Sequence, residues 1–120
     1  MDAEALRNRT KEFAARVMRT VDSLSKTTSI DVVGKQLVRS ATSVAANYRA
    51  ACRARSRAEF IAKMHIVQEE ADESQYWLDC LRQLNPTSPA NLVDLHKEAS
   101  ELTAIFTASI ATLRGPKKNN

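Results

Sequence analysis

Four segments of the chain carry apolar residues at helical spacing. In each segment the apolar positions recur mainly in steps of three or four residues, so they line one side of an α-helix. The stripes consist of Leu6, Phe13, Val17, Val21 and Leu24; Val33, Leu37, Ala41, Val44, Tyr48 and Ala51; Phe60, Met64, Val67, Ala71, Ser74, Leu78 and Leu81; and Leu92, Leu95, Ala99, Leu102, Phe106, Ser109 and Leu113. Such helices bury their apolar sides against one another, so the pattern predicts an all-α protein.

Residues that favour helix ends separate these segments. The first helix is predicted from about Ala3 to Leu24, and the second begins near Ser29. The boundary pairs are Thr28 with Asp31 and Ser56 with Glu59 as capping boxes, Ser88 with Pro89 as an N-cap and first helical residue, and Gly115 with Pro116 as a helix end. Because the connections are short, neighbouring helices must run antiparallel. We predict an antiparallel up-down-up-down four-helix bundle over residues 1–114, followed by a basic C-terminal tail, 115–120.

The composition agrees with this fold and indicates a location. The 120 residues include only two glycines and three prolines, which favours helix. No segment approaches the roughly 18 uncharged apolar residues that a membrane span needs, and the charged N-terminus lacks the apolar centre of a signal peptide. We therefore expect a cytoplasmic protein without a membrane partner.

The cysteines and histidines form no recognisable metal or redox site. In an antiparallel bundle Cys52 and Cys80 are separated by roughly 33 Å along the helices, so no disulfide joins them within a subunit. His65 and His96 are offset by roughly 18 Å, and neither has a second histidine or cysteine one helical turn away. A site shared between subunits is the remaining alternative. We expect no metal and no cofactor.

The acidic run from Gln68 to Glu73 is the main candidate for catalytic chemistry. Di-iron bundles place a Glu-x-x-His element on each of two helices, and this run has no histidine at that spacing. Arg39 is predicted to lie opposite Asp72, which favours a solvent-exposed ion-pair layer over a carboxylate site. Nucleophile motifs and phosphate loops are absent from the sequence. We predict that the protein is not an enzyme.

Positive charge is concentrated in the first half of the chain and at its end. Residues 1–63 hold 13 lysines and arginines against 6 acidic residues, whereas residues 64–113 hold 2 against 8. The predicted topology places the start of helix one, the corner between helices two and three, and the end of helix four together, and we call this the basic end. The predicted nucleic-acid-binding residues there are Arg7, Arg9, Lys11, Arg49, Arg53, Arg55, Arg57, Arg114, Lys117 and Lys118. The basic end lacks a predicted exposed aromatic residue, which argues against base stacking and sequence-specific binding.

Several large apolar residues lie off the core stripes of helices three and four. They are Ile66, Trp77, Ile105 and Ile110. A lone bundle needs only one apolar face per helix, so we predict that these residues form an interface between subunits. The alternative is that a wide core stripe absorbs them. Trp77 and Tyr76 are interpreted as packing residues rather than a ligand cage.

Polar residues border the core stripe of helix two. Arg39, Ser43 and Asn47 recur at steps of four residues, so they lie along one side of the helix. We predict a hydrogen-bonded polar layer that sets the register of the helices. A ligand site at the same place is the less favoured alternative.

The segment "RSATSVAANYRAACRARSRAEF", residues 39–60, resembles a family of small bacterial four-helix bundle proteins. These include the proteins encoded by intervening sequences within 23S ribosomal RNA genes. The likeness extends from about Phe13 to Leu113 in helix pattern and length. The family's frequent N-x-A-E-G reads Asn47-Tyr48-Arg49-Ala50-Ala51 here, so its acidic residue and its glycine are missing.

The resemblance implies an assembly and a set of partners. Members of the family look like homopentamers, and a related accessory protein of diversity-generating retroelements engages nucleic acid and a reverse transcriptase. For this chain the resemblance implies a homopentamer that binds RNA or DNA without strong sequence preference, with a protein partner such as a reverse transcriptase.

Two hypotheses of different class follow from these observations. The first is a non-enzymatic oligomeric bundle that serves as a nucleic-acid-binding accessory module through its basic end. The second is a structural or protein-interaction bundle, in which the basic first half of one subunit contacts the acidic third helix of its neighbour. The first is favoured slightly over the second.

Overall fold

The computed structural model describes residues 2–85 and 89–114, which form four α-helices. Helix α1 spans Ala3–Ser23, α2 spans Thr28–Cys52, α3 spans Arg57–Leu84 and α4 spans Ala90–Arg114. These elements confirm the predicted all-α fold. Ser88 and the tail 115–120, with Gly115, Pro116, Lys117 and Lys118, lie outside the described residues.

Cross-helix contacts show that neighbouring helices run antiparallel. Arg9 near the start of α1 contacts Glu98 in the middle of α4, whereas Thr20 near the end of α1 contacts Asn91 at the start of α4. Each helix packs against its two neighbours, with α1 closing on α4. Across the diagonal, the rings of Tyr48 on α2 and Phe106 on α4 meet in the core. This arrangement confirms the up-down-up-down bundle.

The predicted stripes form one continuous core through the bundle. Leu37, Val67 and Leu102 are fully buried at its centre. Ile110 also belongs to this core and is only 4% exposed, which corrects its assignment to a subunit interface. After Phe106 the apolar stripe of α4 takes a step of four residues, not three, because four residues return closer to the same side of the helix at this end of the bundle.

Helix starts agree with the predictions to within one residue. The Ser56 hydroxyl accepts a hydrogen bond from the Glu59 amide at 3.0 Å, which confirms that N-cap. Helix α2 is capped by Thr27, one residue before the predicted Thr28, and the Thr27 hydroxyl accepts from the Ile30 amide at 3.2 Å. This register buries Ile30 in the core.

Pro89 is not the first residue of α4, as the sequence predicted, but the residue before it. Pro89 precedes the helix, which begins at Ala90. The Pro89 carbonyl accepts from the Leu92 amide at 2.9 Å and from the Val93 amide at 3.4 Å. Pro89 therefore supplies the first acceptor of the helix, where its missing amide proton costs nothing.

A glycine sets the distance between α1 and α2. Gly34 is buried, and a Cβ atom built there would lie 2.9 Å from Val21 Cγ1. That distance is shorter than real Cβ contacts, so any larger residue requires Val21 or a helix to move. The two helices thus approach closely at the end of the bundle opposite the basic end.

Candidate functional site

The corner between α2 and α3 and the end of α4 meet at the basic end. Arg53, Arg55 and Arg57 are exposed around the corner. The guanidinium of Arg57 donates to the carbonyl of Leu113 in the last turn of α4. Arg114, the last residue of α4, is also exposed. The structure therefore brings these four arginines to one end of the molecule, as the topology predicted.

The start of α1 meets the end of α2 at the same end of the bundle. Arg7, Lys11 and Arg49 line a groove together with several small residues, including Ala15 and Ala45. Arg7 and Lys11 are one helical turn apart, or about 6 Å along the axis. Within the described ranges, no carboxylate lies within 4.0 Å of these three cations. The groove is therefore open and electropositive.

Arg9 does not belong to this surface, which corrects the sequence prediction. Its guanidinium donates to Glu98 at 2.8 and 2.6 Å and to Glu101 at 2.9 Å. The hydrogen bond to Glu98, together with the charges of both acids, raises the pKa of Arg9. Two residues after Arg7 the helix has turned by about 200°, so Arg9 faces α4 instead of the groove. Its charge is already matched by two acids.

Arg39 forms the predicted ion-pair layer with a different partner. Its guanidinium contacts Glu70 at 3.0 Å and Glu73 at 2.6 Å, whereas Asp72 is exposed and faces away. The Arg39 hydrogen bond and a second one from the Trp77 indole at 3.1 Å lower the pKa of Glu73. Acids three residues apart share one side of α3, which is why the pair flanking Asp72 reaches Arg39.

The predicted polar layer of Arg39, Ser43 and Asn47 is not formed as a unit. The Asn47 amide donates to the carbonyl and the hydroxyl of Ser43, at 3.0 and 2.9 Å, within the same helix. The buried polar contact between helices is instead Ser74 to Ser40, with 2.9 Å between the two hydroxyls. Both serines are fully buried. Sequence reasoning missed this pair because a serine at a small core position fits the apolar pattern as well as an alanine does, so the pattern does not reveal its hydrogen bond.

The residues predicted for a subunit interface differ in exposure. Ile66 is 37% exposed, whereas Trp77 and Ile105 are half-buried against the core. Further along α3, Tyr76 is 59% exposed, and its ring packs nearly perpendicular to that of Trp77 with 4.9 Å between centroids. An interface role for Ile66, Trp77 and Ile105 stays a prediction. Ile66 is the most exposed of the three.

A cleft that sequence reasoning missed opens at the basic end between α1 and α4. Its floor includes Tyr48, Phe60 and Met64, and Ile105 stands on the α4 side. Phe60 was assigned to the core stripe of α3, but at the end of the bundle it is only half-buried. Burial, followed by the nearby Cys52 thiol, raises the pKa of Tyr48 to about 12. Among the described residues the basic end has no exposed aromatic residue, as predicted, but the half-buried ring of Phe60 lines this cleft.

The side chains that ligate metals are dispersed over the described part of the molecule. There, no group of three or more histidine, cysteine, aspartate or glutamate residues is placed to hold a metal ion. Cys52 and Cys80 are free thiols. His65 lies 3.2 Å from Arg114 at the basic end, and His96 lies 3.0 Å from a carboxylate of Asp79 towards the other end.

Within residues 2–85 and 89–114, no helix is both long and apolar enough to span a bilayer.

Comparisons with known proteins agree with this architecture. Residues 5–108 match the family model described as 23S rRNA-intervening sequence protein. Among solved structures, a protein of unknown function from the S23 ribosomal protein family of Bacteroides thetaiotaomicron is 31% identical, with a TM-score of 0.82. The alignment covers 92% of this chain and 99% of that chain. The search of curated proteins returns no match. The chain therefore belongs to the 23S rRNA-intervening sequence protein family.

Proposed function

We propose that this protein is a non-enzymatic, cytoplasmic, oligomeric bundle that binds nucleic acid through its basic end as an accessory module. The observation that carries the proposal is a set of five exposed cations at that end with no acidic partner within 4.0 Å among the described residues. They are Arg7, Lys11, Arg49, Arg53 and Arg55. We call them the unpaired cations.

Local charge balance distinguishes this end from the opposite one. At the opposite end Lys26 and Lys35 line a groove together with Asp22 and Asp31, so positive and negative charge alternate there. The groove of Arg7, Lys11 and Arg49 has no acidic residue in its lining. A polyanion is therefore attracted to the basic end and not to the far end. Phosphate contacts of this kind position a strand without reading its sequence.

Assembly would multiply this surface. The exposed apolar residues on α3, Ile66 and Tyr76, support contact with further copies of the chain, and the pentamer implied by the family resemblance is the assembly we propose. A cyclic ring displays identical basic ends together, and several weak phosphate contacts on one strand then act jointly.

A charge-reversal pair tests the proposal. We expect Arg53→Glu with Arg55→Glu to reduce affinity for single-stranded RNA at low salt by at least about tenfold, and the slope of log K against log salt to fall in magnitude by about 1.4. The matched control is Lys26→Glu with Lys35→Glu, which changes the charge equally at the opposite end. Fluorescence anisotropy measures both. Equal loss in the two double variants, or no binding by the parent protein at low salt, would contradict the proposal.

A second candidate function is a protein-interaction bundle without nucleic acid. The observation that favours it is the outer face of α3, where Ile66 and Tyr76 are exposed beside the exposed acids Glu69 and Asp72. This face is complementary in charge to the basic groove of another subunit. Glu69→Lys with Asp72→Lys would then dissociate the oligomer in light scattering. Under the first proposal the same variant leaves affinity per subunit for RNA undiminished.

A further inference from the structure

We propose that the cleft at the basic end takes one unpaired nucleobase, whose flanking phosphates bind the arginines around the cleft. The inference rests on the proposed function and deepens it, since it names the part of a nucleic acid that enters the protein. The residues that line the cleft are Leu6, Tyr48, Phe60, Met64, Ile105, Ala108, Ser109 and Thr112. All four helices contribute to this set.

The cleft lies between α1 and α4, on the basic-end side of the contact between Arg9 and α4. Arg9 joins α1 to Glu98 and Glu101 of α4, and no other hydrogen bond or ion pair joins the two helices nearer that end within the described ranges. One turn further along each helix, Leu6 and Ile105 face each other across the opening. Tyr48 and Met64 in the floor of the cleft are buried and belong to the core. The cleft is therefore a preformed feature of the bundle.

The lining suits a flat aromatic group with polar edges. Phe60 is half-buried and presents an aromatic ring to the cleft, and the ring of Tyr48 is supported from behind by Phe106 with 5.9 Å between centroids. The hydroxyls of Ser109 and Thr112 donate to carbonyls of their own helix, at 2.9 and 3.0 Å. Each oxygen keeps acceptor capacity, which can receive an amino or imino hydrogen of a base. Stacking on an aromatic ring tolerates any base.

Charge complementarity selects a nucleotide over a neutral apolar ligand. Arg57 precedes Phe60 by one turn and donates to the Leu113 carbonyl at the end of α4. Arg114, two residues after Thr112, lies on another side of α4, where it contacts His65. Arg7 follows Leu6 directly on α1 and is exposed. A phosphate on either side of an inserted base would therefore find a cation.

The nearby acids are engaged in helix caps. The Asp2 carboxylate accepts from the Ala5 amide at 2.7 Å, and that of Glu59 accepts from the Arg55 amide at 3.4 Å.

An abasic oligonucleotide separates base insertion from phosphate binding. We expect the parent protein to bind a single-stranded oligonucleotide about 5- to 150-fold more tightly than a strand of equal length without bases, because one stacked base contributes that factor. A 2-aminopurine in the intact strand should change its fluorescence on binding. Ala108→Leu fills the cleft and should remove both the preference and the fluorescence change. Ala104→Leu is the matched control, because Ala104 is also exposed, lies one turn earlier on α4 and does not line the cleft.

Each outcome separates this inference from the proposed function. Equal affinity of the parent protein for intact and abasic strands would overturn the cleft proposal and leave phosphate binding intact. Absence of binding to both strands would overturn both. Phe60→Leu is a second variant in case Ala108→Leu fails to fold, because it removes the aromatic ring and retains an apolar side chain. It should reduce the preference for intact strands, and a full preference in every folded variant would show that the base binds elsewhere.

Discussion

Two groups of cations in this bundle differ in what surrounds them. Arg9 and Arg39, the clamped arginines, each contact two glutamates of a neighbouring helix. The unpaired cations lie at the basic end, and their charged side-chain groups have no carboxylate oxygen within 4.0 Å among the described residues. The clamped arginines use their charge within the molecule, whereas the unpaired cations leave theirs for a partner. The number of basic residues in the sequence therefore overestimates the positive charge available to a ligand, because some of these residues form ion pairs within the molecule.

Salt should produce the largest difference between the two groups. If the five unpaired cations contact phosphates of a single strand, log K should fall against log salt with a slope of about −3.5, which is roughly a hundredfold loss between 50 and 200 mM. The ion pairs of the clamped arginines have short N–O distances and are partly buried, so salt screens them weakly. The free energy of unfolding should therefore change by less than about 0.5 kcal/mol over that range. Anisotropy titrations and urea unfolding measure the two quantities. A salt-independent affinity would contradict the distinction.

Removing a clamped arginine should cost stability. Arg9→Ala leaves Glu98, whose side chain is only 15% exposed, without its partner, and we expect a loss of about 1–2 kcal/mol in unfolding free energy. The control Arg7→Ala lies two residues away on the exposed groove and should change stability by less than about 0.5 kcal/mol. Urea unfolding gives both values. A larger loss of RNA affinity in Arg9→Ala than in Arg7→Ala would return Arg9 to the binding surface.

The second clamp should contribute less to stability because it is more exposed. The Arg39 side chain is 49% exposed, so Arg39→Met should cost only about 0.5–1 kcal/mol. Arg49→Met on the same helix is the control, since Arg49 has no acidic partner in the described part of the chain, and it should be close to neutral. Thermal unfolding by circular dichroism compares the pair. Equal effects would show that the ion pairs of Arg39 contribute nothing measurable.

The smallest expected effect is a dependence of this clamp on pH. The pKa of Glu73 is lowered in the folded protein, so its stabilisation is fully present above the ordinary value near 4.5 and is lost as pH falls through the folded value. The parent protein should therefore lose a few tenths of a kcal/mol more than Glu73→Gln on going from pH 6 to pH 3. Unfolding curves across that range measure the difference. Identical pH profiles would show that Glu73 gains nothing from Arg39.

Sequence reasoning located the arginines on the correct helices but not all of their partners. The spacing of basic residues placed Arg53, Arg55 and Arg57 at an exposed corner, and the structure has them there. It also grouped Arg9 with Arg7, although these lie on different sides of α1. Each residue advances a helix by about 100°, so neighbours in sequence face different surroundings. The partner of Arg9, Glu98, is 89 residues away in the sequence, so no local pattern predicts this ion pair.

The ends and the buried polar contacts were predicted least well for a related reason. Thr27 and Thr28 are equally suitable caps, and the burial of Ile30 selects the first. Phe60 and Ile110 each continue an apolar pattern, yet one is half-exposed at the cleft and the other is buried. Burial at a bundle end depends on how far the opposite helix extends, which is a property of another segment of the chain.

The sequence alone determined the helices, their antiparallel order and the position of the core. These follow from apolar periodicity and short connections, which act over a few turns of chain. Only the tertiary structure decided which charges are neutralised, which serines meet between α2 and α3, and where a cleft opens between α1 and α4. Those features depend on distances between side chains from remote segments, and a rotation of one helix by a single residue changes them without altering the periodic pattern.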